Sequence, residues 1–124
     1  IFEGIIAKNE EGLASIDVGG TSIIATTAFP PGTPVVLYMR PEDITFHVRA
    51  GVKSSARNEF TGMITKVLPM GPNARLKVDA GITLTAVITQ RSYEELDLAL
   101  GKETQLAFKA SAIHVVERKP SKSV

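Results

Sequence analysis

The chain is written twice, and this duplication constrains its fold more than any other feature. "FEGII" at Phe2 to Ile6 returns as "FTGMI" at Phe60 to Ile64, with Phe, Gly and Ile in the same places. "ASIDV" at Ala14 to Val18 returns as "ARLKV" at Ala74 to Val78, each followed by a Gly-containing turn and a second apolar run. "GTPVVLYMRPEDI" at Gly32 to Ile44 runs beside "GKETQLAFKASAI" at Gly101 to Ile113, which sets Arg40 opposite Lys109. Internal similarity of this kind indicates two copies of one small folding unit.

The separation between matched pieces widens because the second copy carries "TQRSYEELDLAL" where the first has "TTAFPP". Ser92 followed by Glu95 has the spacing of a capping box, which predicts a short helix started by Ser92 and stopped by Gly101. Everything else is short β-branched runs broken by Gly, Pro and Asn, the pattern of an all-β protein with many short strands. About five strands per copy predict two tandem OB-like small β-barrels, with one short helix in the second. Residues 1–52 form the first OB-like subdomain with its linker, 53–118 the second, and 119–124 a flexible tail. Phe2 and Phe60, Leu37 and Leu106, and Ile44 and Ile113 are equivalent core positions. "RPED" at Arg40 predicts a turn in which Arg40 pairs with a carboxylate, and "PMGPN" around Gly71 a second turn.

Composition narrows the function classes. The 124 residues are 44% hydrophobic, enough for packed cores. The formal charge is only +1, so no field of one sign steers nucleic acid, and any anion site has to be local. Five Phe and two Tyr fall mostly on apolar faces, which speaks against a base-stacking platform. With no cysteine there is neither a disulfide framework nor a thiolate metal site. No apolar run approaches the roughly 18 residues needed to span a bilayer, so the expectation is a soluble domain on the cytoplasmic side. The start at Ile1 instead of methionine suggests a fragment or processed product. Glu42, Asp43 and His47 do not complete a metal-ligand set, and neither histidine has a companion nucleophile. No catalytic residue and no metal-cation site is assigned.

Two short segments carry chemistry. "SSARN" at Ser54 to Asn58 lies at a loop or strand start, where free backbone N–H groups and serine hydroxyls can wrap a small oxyanion. Arg57 can add charge there, or the same residues can make an ordinary turn with Arg57 tied to a surface carboxylate. In "FKASAIHVV", Lys109 and Ser111 share a face if the strand continues. If it breaks, Lys109, Ala110 and Ser111 offer a cation, N–H groups and a hydroxyl.

"SARNEFTGMITKV", "LTAVIT", "SYEEL" and "AFKASAIHVV" together resemble the molybdate-binding repeat of the TOBE/molbindin family, over Ser55 to Val116. "FEGII" with "VVLYMRPEDI" resembles the OB-like accessory segment that follows the nucleotide-binding domain in ABC importer ATPases. The resemblance implies the C-terminal regulatory domain of a molybdate or tungstate importer ATP-binding subunit. Carried over, it assigns Ser55, Ala56, Arg57, Lys109, Ala110 and Ser111 to oxyanion binding, with Ala56 and Ala110 acting through backbone N–H. The implied ligand is molybdate or tungstate, held where repeats or subunits meet, with the "FKAS" half supplied by a neighbouring subunit. Implied partners are a second copy, the ATPase domain of the parent chain and the membrane permease subunits, at the inner face of the cell membrane. In some importers of this kind, bound oxyanion holds the ATPases apart and shuts off uptake. No G-x-x-x-x-G-K-[ST] phosphate loop is present, so the fragment is not itself an enzyme. The competing readings are a non-sensing dimerisation domain of a sugar-type importer and a stand-alone molybdate storage protein.

Overall fold

A computed structural model describes residues 1–47 and 57–119, the side chain of His47 excepted. Ten strands occur there: β1 Phe2–Glu10, β2 Leu13–Val18, β3 Thr21–Thr26, β4 Pro34–Tyr38, β5 Thr45–His47, β6 Asn58–Met70, β7 Asn73–Asp79, β8 Thr83–Thr89, β9 Glu103–Phe108 and β10 His114–Glu117. One helix, α1 Gln90–Glu95, follows β8, and short 3-10 turns occupy Pro41–Asp43 and Ala110–Ala112. Two five-stranded antiparallel sheets result, ordered β10-β4-β1-β2-β3 and β5-β9-β6-β7-β8. The chain is all-β, with tandem OB-like folds and the helix in the second.

The duplication is visible in the register. Phe2 faces Leu37 across β1 and β4, and Phe60 faces Leu106 across β6 and β9. Each long strand carries an irregularity at the same place, between Ile6 and Lys8 and between Ile64 and Lys66. Such bulges bend and twist a strand, which helps a small sheet curl on itself.

The glycine of "FEGII" and "FTGMI" has one reason in both copies. A Cβ on Gly62 would lie 2.6 Å from the Asp79 carbonyl oxygen and 2.7 Å from a Val78 methyl. A Cβ on Gly4 would meet the Asp17 carbonyl oxygen at 2.7 Å and an Ile16 methyl at 2.9 Å. Backbone cannot swing aside as a side chain can. Gly62→Ala is therefore expected to destabilise the protein by about 1–3 kcal/mol, the usual scale of overpacking, read from the urea midpoint.

The strands at the sheet edges are exchanged between copies. β5, from the end of the first copy, pairs with β9, placing Phe46 opposite Leu106. β10, from the end of the second, pairs with β4, placing Val115 opposite Leu37. Contacts therefore divide the chain into Ile1–Met39 with Ala110–Val124, and Arg40–Lys109. This differs from the contiguous boundary at 52/53 expected from the repeat. The segment Met39 to Ile44 holds Pro41 and a 3-10 turn, so β4 and β5 are not joined as a tight hairpin. Since both copies end alike, each sheet gives up one short strand and receives its equivalent, an exchange with little enthalpic cost.

Ile44 and Ile113 are both buried, at 2% and 6% exposure. Each belongs to the unit built mainly by the other copy. Leu37 and Leu106 are buried as expected, whereas Phe2 and Phe60 are only half-buried. In the first unit the Ala110–Ala112 turn packs on β3, and in the second the Pro41–Asp43 turn packs on β8.

The helix begins earlier than the capping-box spacing indicates. Thr89 is the N-cap: its Oγ1 accepts from the Ser92 backbone N–H at 3.0 Å, which makes Ser92 an interior residue. Glu95 does not reach back to the cap but pairs with Arg91 at 3.1 Å. The helix closes at Leu96, before Asp97 turns left-handed at φ 54°, so Gly101 is not its stop. Of the expected tail only Lys119 lies among the described residues.

Candidate functional site

The candidate site begins where β6 and β9 share an end. Asn58 faces Phe108 in their register, so Arg57, just before β6, and Lys109, just after β9, leave the sheet at the same end. Both side chains belong to exposed residues, and neither makes an ion pair among the described residues. The alternative in which Arg57 is tied to a surface carboxylate therefore finds no partner there. β9 stops at Phe108 and a 3-10 turn begins at Ala110. The strand breaks at this point, so Lys109 and Ser111 do not share a strand face.

Beneath this end lies an aromatic floor within the same unit. Phe60 and Phe108 stack with ring centroids 5.7 Å apart and planes 14° apart. Phe108 is 2% exposed. Phe108 is therefore core, with the half-buried Phe60 ring stacked beside it.

Ala110 is buried and Ser111 exposed; they follow Lys109 directly in the chain and open the segment assigned to the first unit. Ser55 and Ala56 lie outside the described residues, as does Ser54. Arg57 and Lys109 of one chain thus lie at the same end of a strand pair.

The same place in the first copy has the opposite chemistry. Arg40, the counterpart of Lys109, donates to both oxygens of Asp43 at 3.2 and 3.3 Å. That hydrogen bond, with the charges of Asp43 and then Glu42, raises the pKa of Arg40 above its already high value. Pro41 offers no N–H where Ala110 has one, and Glu42 stands where Ser111 offers a hydroxyl. A bound anion would meet a neutralised cation and a carboxylate there. The expected "RPED" turn is present, and its Arg40 is engaged.

A shallow depression on the first unit is lined by Glu3, Gly4, Ile5, Asp17, Gly19 and Arg118. Arg118 is committed to Glu3 at 3.0 Å, and Asp17 accepts from the Gly20 N–H, so the lining is net acidic. Among the described residues no three His, Asp or Glu side chains group as metal ligands. Asp43 is occupied by Arg40, and His114 is exposed on β10 opposite Tyr38. No helix among the described residues is long and apolar enough to cross a membrane.

The chain thus holds two small OB-type β-folds, one of which presents Arg57 and Lys109 at a strand end with no ion pair among the described residues. The chain belongs to the TOBE domain family, whose model matches residues 54–115. It is 45% identical over 78 residues to the molybdate/tungstate import ATP-binding protein WtpC of Pyrococcus horikoshii, a match covering 62% of this chain and 22% of that protein. With WtpC of Pyrococcus abyssi the identity is 38% over 118 residues, covering 92% of this chain and 32% of the relative. The chain thus spans a third or less of the length of these curated relatives. Among solved structures, the cytoplasmic molybdate-binding protein ModG, in a form with molybdate bound, superposes with a TM-score of 0.79 at 22% identity, covering 94% of each chain. That likeness is one of fold.

Proposed function

We propose that this chain is the oxyanion-sensing regulatory domain of the ATP-binding subunit of a molybdate or tungstate importer. Arg57 and Lys109 supply charge, Ser55 and Ser111 hydroxyls, and Ala56 and Ala110 backbone N–H groups to one tetrahedral dianion. The observation that supports this reading is the Asn58–Phe108 register, which brings Arg57 and Lys109 to one end of the sheet, neither in an ion pair among the described residues. A dianion taken out of water needs several charge-assisted hydrogen bonds, each worth roughly 1.5–3 kcal/mol. In the family this chain resembles, the ligand sits where repeats or subunits meet, so a second copy completes the shell. This is the reason for proposing a homodimer with the ligand at its interface. The names of the WtpC relatives and of ModG point to molybdate or tungstate as the ligand.

The domain is not a catalyst. It acts on an ATPase domain of the parent chain, docked on permease subunits at the cytoplasmic face of the membrane. Oxyanion binding biases a two-state arrangement of the dimer by its higher affinity for one state, and the favoured state restrains transport. A thermal-shift series tests the ligand assignment. At about a hundred times the dissociation constant, tungstate or molybdate should stabilise the protein by about 2.7 kcal/mol, while equimolar sulfate leaves the melting temperature in place. A protein that dimerises but ignores all three anions is a non-sensing assembly domain of the sugar-importer kind.

A further inference from the structure

We propose that Asn58 is a positioning residue for the oxyanion site: its buried amide joins the ends of β6 and β9 so that Arg57 and Lys109 emerge side by side. This inference rests on the oxyanion reading above and names a residue that reading does not use. Its starting point is a break in the strand pattern. On the inward face of the pair, Gly62 opposes Thr104, Phe60 opposes Leu106 and Asn58 opposes Phe108. Period-two alternation calls for an apolar side chain at position 58, as at Leu106 and Phe108. Instead an asparagine is buried there at 3% exposure.

Burying an amide is unfavourable unless it is hydrogen-bonded, and a leucine of the same branched shape would suit the row. The Asn58 Nδ2 donates to the Phe108 carbonyl oxygen at 3.5 Å, across the strand pair. That carbonyl belongs to the peptide that delivers Lys109, and Asn58 itself is bonded to Arg57. The amide thus touches the backbone next to both cations. Among the described residues the other buried polar side chain is Thr104, one strand residue pair beyond Phe60 and away from this end. Places where a sequence departs from its local pattern without a packing gain are where function is expected.

The test compares Asn58→Leu with Thr104→Val in the 124-residue chain, titrated calorimetrically with sodium tungstate and melted without ligand. Asn58→Leu should keep or raise the melting temperature of the ligand-free protein while weakening tungstate about tenfold or more, the scale seen when a group that orients ligands is removed. Thr104→Val should leave the affinity within about twofold. If Asn58→Leu does not fold, Asn58→Ser, which retains a small hydrogen-bonding group, should fall between wild type and a tenfold loss. Unchanged affinity in whichever Asn58 variant folds, or an equal loss in Thr104→Val, overturns the inference and leaves the site reading intact. No heat from the unaltered protein overturns both.

Discussion

Phe108→Ala is expected to cost about 3–5 kcal/mol, the largest stability loss of any single substitution considered for this protein. The ring is 2% exposed, stacks on Phe60 and fills the inward row at the end of β9. Truncation loses its transfer free energy and leaves a void that two hydrogen-bonded strands cannot easily close. A β-fold this small has few other large side chains with which to repack. Equilibrium urea unfolding gives the number, and Phe60→Ala, at a half-buried position, should cost less. A double-mutant cycle between the rings should return a coupling of about 0.5–1.5 kcal/mol. A loss below about 1 kcal/mol for Phe108→Ala would show that the ring is not packed as described.

The second large effect is on binding. Arg57→Ala and Lys109→Ala should each weaken tungstate about tenfold to a hundredfold, since each removes one charge-assisted contact of roughly 1.5–3 kcal/mol. Both residues are exposed, so the ligand-free protein should stay within about 0.5 kcal/mol of wild type. Arg57→Lys keeps the charge but loses the planar fork, and an intermediate loss is expected. The duplication supplies an internal control in Arg40→Ala. Arg40 is the counterpart of Lys109, but it is held by Asp43 and flanked by Glu42, so removing it should leave affinity within about twofold. Calorimetric titration of the four variants separates a local site from general attraction between an anion and surface cations. Equal losses in Arg40→Ala and Lys109→Ala would indicate the latter.

Much of this architecture was legible in the residues, because strand patterns and turns are local. The match of "FEGII" to "FTGMI" located two equivalent strands, and the structure adds why each keeps its glycine: carbonyl oxygens lie where a Cβ would go. A turn in which Arg40 pairs with a carboxylate was legible because the residues of "RPED" are neighbours in sequence, and the structure shows that carboxylate to be Asp43. The exchange of β5 and β10 was not, since alternation tells which face of a strand is inward but not which edge it joins. Ser92 and Glu95 had the spacing of a capping box, yet Thr89 stands three residues ahead of Ser92 and takes the cap, leaving Glu95 to Arg91. At the candidate site, the chemistry of Arg57 and Lys109 was readable from their motifs, whereas their proximity depends on a long-range register. Asn58 was passed over as the last letter of a loop motif. Its signal was a polar residue in an inward-facing place, which becomes visible only when the start of β6 is known.

The central claim, that this domain binds a tetrahedral metal oxyanion through the end of the β6–β9 pair, is tested most directly by isothermal titration calorimetry. Tungstate, molybdate and sulfate would be titrated separately into the 124-residue chain at micromolar concentration. The account predicts saturable heat with tungstate or molybdate, little with sulfate, and marked loss of that heat in Lys109→Ala but not in Arg40→Ala. No heat from either metal oxyanion, in protein that is folded by its melting curve, would contradict it.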